Sequence, residues 1–95
     1  MTNLPSAPAP GAILETALYV DDLDAATGFY QELLGLVAFQ TVPDRHVFFR
    51  IGKAVLLVFN PNSTVQPTQN PRLPVPPHGA RGPAHVCFAM PRKQI

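Results

Sequence analysis

The sequence predicts an α+β fold: one strand–helix–strand–strand–strand module and, beyond a proline-rich connector, the first strand of a second module. Three observations carry this. Residues 13–20, ILETALYV, alternate, with Leu14, Thr16, Leu18 and Val20 on one side and Glu15, Ala17 and Tyr19 on the other. The next stretch, DDLDAATGFYQELLG, places Ala26, Phe29, Tyr30 and Leu33 at helical spacing. Three short apolar runs then follow, each closed by turn residues: LVAFQTV before Pro43-Asp44, HVFFRI before Gly52-Lys53, and AVLLVF before Asn60-Pro61.

Each element has a local cause. Asp21 or Asp22 can accept the free N–H groups of a first helical turn, and early acids suit the positive end of the helix dipole. Gly35 falls just past the helix end, where a left-handed residue is common. Gly28 inside the helix costs about 1 kcal/mol against alanine. The chain holds twelve prolines, seven of them in 61–83, PNSTVQPTQNPRLPVPPHGARGP. Proline fixes φ and removes a donor, so this segment reads as a semi-extended connector rather than a helix interior or central strand. Residues 1–12 read as a flexible leader by the same logic. Residues 84–90, AHVCFAM, read as a further strand with five residues after it.

Composition bounds the function. The 95 residues are 46% hydrophobic and 14% charged, a globular balance, with a net charge of +1. That charge gives no electrostatic argument for nucleic acid or an acidic membrane surface. No apolar run approaches the ~20 residues of a membrane span, and the first twelve residues lack a signal-peptide pattern. Cys87 is the sole cysteine. It forms no internal disulfide, and a cytoplasmic location is the expectation. A chain this short hides only about 60–65% of its unfolded surface, so its core is marginal unless it dimerises or has help.

Three stretches, ETALYVDDLDAATGFYQELLGL, RHVFFRIGKAVLLVFNP and PPHGARGPAHVCFAM, resemble the vicinal oxygen chelate superfamily. That superfamily holds glyoxalase I, extradiol dioxygenases, fosfomycin-resistance enzymes and bleomycin-binding proteins. The resemblance implies a cup built from two βαβββ modules. It makes residues 13–60 one module and 84–95 the start of a second, completed by a longer form of the chain or by another chain, and a homodimer is the expectation because half a cup must be closed by something. It also implies a divalent metal, Zn, Mn, Ni or Fe, held on the first and fourth strands of each module. Carried over, those positions are Glu15, Leu56 and His85. Glu15 would then be a ligand or a base, His85 a ligand, and Leu56 a departure, since it cannot ligate. The substrate would be a small molecule with vicinal oxygens.

The residues leave alternatives open. A metal-free module of the bleomycin-binding type would line its cavity with Tyr19, Leu56, Val58 and Phe48 or Phe49. An inactive fragment is a third reading. Glu15 needs a partner in an apolar strand, either a metal or Arg50. Arg50 suits an anionic substrate group, Glu15 or solvent. His85 is a ligand or a hydrogen-bonded structural group. His46 and His78, next to turns, are expected in solvent, and Cys87 as a small core residue. Gly79, Arg81 and Gly82 lack the spacing of a phosphate loop.

Overall fold

The computed structural model describes residues 7–67, 72 and 75–92. Parts of the expected leader (1–6), connector (68–71, 73 and 74) and final segment (93–95) lie outside the described residues. The element order is β1 (Glu15–Tyr19), α1 (Leu23–Gly28), a π-helical turn (Phe29–Leu33), β2 (Val37–Val42), β3 (His46–Ile51), β4 (Ala54–Phe59) and α2 (Pro61–Thr64). The four strands form one mixed sheet in the order β1-β4-β3-β2. This is the α+β arrangement expected for the module. Here β1 lies parallel to β4, while β2–β3 and β3–β4 are antiparallel hairpins.

The hairpin turns use the residues their geometry requires. Asp44 adopts φ 64° and Gly52 φ 55°, both left-handed. The β2–β3 register slips between Ala38 and Gln40, and the extra residue of this bulge is Phe39.

Helix α1 begins as its acids dictate. The Asp22 side chain accepts from the Ala25 N–H at 2.9 Å, and Asp24 lies in the first turn. Asp22→Ala is expected to lower stability by about 1 kcal/mol, read as a lower urea midpoint with unchanged slope.

The buried stripe differs from the one expected. Leu23, Ala26 and Tyr30 pack on the sheet, but Phe29 is 47% and Leu33 70% exposed. For Leu33 the cause is the switch to π-helical bonding that begins at Phe29, in which the Leu34 N–H donates to the Phe29 carbonyl at 3.2 Å. A wider turn rotates later residues away from the α-helical stripe. Burial also pushes the Tyr30 phenol above its ordinary range.

The core lies between α1 and one face of the sheet. It consists of Leu23, Val47, Phe49, Leu56 and Val58, joined by Leu18, Val20 and Ala38. The Tyr30 ring lies 5.5 Å from that of Phe49, and Phe88 closes the far side of Tyr30 at 6.5 Å.

Two further expectations change. The connector opens with a helical turn, α2, because Pro61 sits at its first position, where the missing N–H is harmless, and Asn60 caps it. Residues 84–90 enter no ladder among the described residues. A strand exists only by its partner, and these residues give no bonds to the outer edge of β1 or β2. Cys87 on this segment is exposed rather than a core residue.

Candidate functional site

Strand pairing divides the sheet into two faces. Residues aligned across a ladder point to the same side. One face, covered by α1, carries Leu18, Val47, Phe49, Leu56 and Val58. The opposite face is open and reads in three rows. The first row is Arg50, Val55 and Glu15; the second Phe48, Leu57 and Ala17; the third His46, Phe59 and Tyr19.

The candidate residues therefore separate. Glu15, Tyr19 and Arg50 lie on the open face, as expected. Phe49, Leu56 and Val58 do not line it: they are 0%, 1% and 0% exposed in the core beneath α1. Leu56 and Val58 therefore share no face with Glu15, although Leu56 does line a separate cavity together with His85. The partner of Glu15 on β4 is Val55, and the next position on that face is Leu57. Both are as unable to ligate as Leu56, so the departure persists at the correct register.

Glu15 is exposed, and among the described residues it makes no ion pair; in particular it does not pair with Arg50. Two strand spacings separate them, and the Arg50 guanidinium instead lies 4.8 Å from the centre of the Phe39 ring. His85 is exposed and lines a cavity of about 460 Å³ with Thr16, Ile51, Leu56 and Phe88. Glu15 is not among that cavity's lining residues.

The residues present do not complete a metal site. Among the described residues, no three of His, Cys, Asp or Glu are grouped to hold an ion. Glu15 contributes one carboxylate, and its neighbours on the same face are Ala17, Val55 and Leu57.

What the open face does carry is a continuous aromatic layer. The His46 ring stacks on Phe48 at 4.0 Å and 9°. Phe48 meets Phe59 edge-on at 5.6 Å, and Phe59 stacks on Tyr19 at 5.7 Å. Phe39 joins Phe48 at 6.3 Å because the bulge turns it to this side. The layer runs from Arg50 at one end to Tyr19 at the other. Val37, Phe39 and Val42 extend it as exposed apolar groups.

Two histidines expected in solvent belong to this layer. His46 is 9% exposed. Its Nε2 meets the Gln40 Oε1 at 3.2 Å, and its Nδ1 is buried without a partner among the described residues. Burial first, and the neighbouring Arg45 second, hold its pKa below the ordinary imidazole value. His78 reaches the layer from the connector, with Nδ1 2.8 Å from the Tyr19 hydroxyl oxygen and its ring 4.5 Å from Phe59. The signal for His46 lay in the sequence: His46, Phe48 and Arg50 alternate onto one face. No local pattern announces His78, because its hydrogen bond to Tyr19 spans 59 residues.

The chain belongs to the Glyoxalase/Bleomycin resistance protein/Dioxygenase superfamily, whose family model matches residues 12–92. Among solved structures it is similar to a lactoylglutathione lyase from Agrobacterium tumefaciens, at 45% identity and a TM-score of 0.73. That match covers 84% of this chain and 58% of the lyase, so the chain spans little more than half of its relative's length. No curated protein matches the chain. No helix among the described residues is long and apolar enough to cross a membrane.

Proposed function

We propose that the open face binds a small planar molecule that carries an anionic group. One observation supports this above the rest: an aromatic and apolar layer, unbroken across β1, β4 and β3, ends at the exposed guanidinium of Arg50. A flat body stacks over Phe48 and Leu57, and a carboxylate or sulfonate meets Arg50 through charge-assisted hydrogen bonds. Benzenesulfonate serves as the probe. Titration is expected to raise the thermal midpoint, and Arg50→Gln to weaken binding by about tenfold. No stabilisation by benzenesulfonate, or equal affinity in Arg50→Gln, overturns this reading. A homodimer would supply the facing wall of the site, and molar mass measured at low concentration tests that part.

A second reading is favoured by the position of Glu15 on the same face and by the relationship to lactoylglutathione lyase. It is a metal-dependent enzyme acting on a substrate with vicinal oxygens. Glu15 and His85 would hold a divalent ion, Zn, Mn, Ni or Fe, together with donors from a second module. Metal analysis separates the readings. About one ion per chain in the purified protein, lost in Glu15→Ala, supports the second. Metal content that Glu15→Ala leaves unchanged counts against it.

A further inference from the structure

We propose that His78 is a specificity-determining residue, whose ring stops one end of the open face and so limits the length of the planar ligand bound there. This rests on the open-face reading above. Phe59 belongs to a face that no helix covers, yet it is only 8% exposed. Tyr19, Phe48 and His46 flank it within the sheet at 5.6–5.9 Å, and the nearest ring, that of His78 from outside the sheet, lies edge-on at 4.5 Å and stands 5.8 Å from Tyr19.

The backbone that carries this ring is fastened independently of it. The His78 N–H donates to the Thr64 carbonyl at 2.9 Å. Gly79 packs so closely on α2 and the residue after it that an added Cβ would stand 2.9 Å from Val65 Cγ1 and 3.5 Å from Pro61 Cβ. Arg81 donates to Asp21 at 3.1 Å and also to Asn62. Residues 78–81 therefore form a strap anchored to β1's exit and to α2, and the imidazole projects inward from it. Removing the ring leaves the strap's own fastenings intact.

The stop divides the face. Arg50 is exposed and Phe48 and Leu57 are half-buried, whereas Phe59 is buried with the His78 imidazole against it and against Tyr19. A single-ring anion anchored on Arg50 needs only the open part. A fused bicyclic anion of the same charge needs the volume that His78 occupies.

The test compares benzenesulfonate with naphthalene-2-sulfonate on the full chain by calorimetric titration. Wild type is expected to bind the two with similar affinity. His78→Ala is expected to bind naphthalene-2-sulfonate about tenfold more tightly, the upper value of one added ring contact, with benzenesulfonate unchanged. His78→Phe keeps a ring in place and is expected to behave as wild type, which separates filling from the hydrogen bond to Tyr19. If His78→Ala does not fold, His78→Gln removes the ring while keeping a polar reach to Tyr19, and the same gain is expected. An unchanged ratio of the two affinities in the folded ring-less variant overturns the inference while leaving the open-face reading standing. Failure of both probes to bind wild type and every variant overturns the open-face reading, and the inference with it.

Discussion

Phe49→Ala is expected to leave the chain without a cooperative unfolding transition. Phe49 is fully buried at the centre of β3, between the β4 side chains and the Tyr30 ring. Truncating a buried phenylalanine costs about 3–5 kcal/mol, because the lost transfer energy is joined by the cavity left behind. A domain of this size starts with stability near the lower end of about 5–15 kcal/mol. The loss therefore consumes most or all of it. Near-UV circular dichroism and urea titration read the outcome. The neighbouring Phe48→Ala is the informative contrast: Phe48 is half-buried on the opposite face, so its loss should cost only about 1 kcal/mol. Equal destabilisation by the two would mean that the faces of β3 are assigned the wrong way round.

The second large effect follows acidification. His46 is held neutral by burial and by Arg45. The groups that meet its ring are Phe48, Phe59 and the Gln40 carbonyl oxygen, while His78 lies across Phe59; no carboxylate contacts its orphan Nδ1 among the described residues. The folded pKa lies below the unfolded one. As pH falls through the unfolded value of about 6.5, the unfolded chain takes up a proton that the folded chain resists. Stability is therefore complete above that value and declines below it, until the folded imidazole also protonates. One proton sets the limiting slope at about 1.4 kcal/mol per pH unit. Urea midpoints measured between about pH 5 and pH 8 should fall on the acid side. His46→Phe, which keeps the stack on Phe48, should remove this component. A pH profile identical in wild type and His46→Phe excludes the assignment.

Much of the module was legible in the sequence. Residues 46–51 and 54–59 are strands at the predicted bounds, because left-handed Asp44 precedes the first, left-handed Gly52 turns between them and Asn60-Pro61 ends the second. The facing of β1 was equally legible, since Glu15 alternates with Leu18 and Val20. That of β4 was not. AVLLVF is apolar at all six positions, so its period carries no marker of which side faces the helix. Only the ladder with β1 decides that Leu56 and Val58 are core and that Val55 and Leu57 lie with Glu15. The π-helical turn was invisible for a similar reason: FYQELL fits either helical period. His78 joins the layer through contacts between distant segments, which no window of neighbouring residues can contain. The segment 84–90 shows the converse case, in which strand-forming residues find no ladder.

The parallel pairing of β1 with β4 also constrains the order in which the chain assembles. The two hairpins join neighbours in sequence, so β2, β3 and β4 associate by closing short loops. Strand β1 has nothing to pair with until residues 54–59 are available, since β4 is its neighbour in the sheet. Pairing β1 with β4 closes the longest loop in the sheet, with the helix as the tether, and so carries the largest closure entropy of the three ladders. During synthesis on the ribosome, the open face would gain its β1 residues only with that pairing, and its aromatic layer would be complete only once His78 has also emerged.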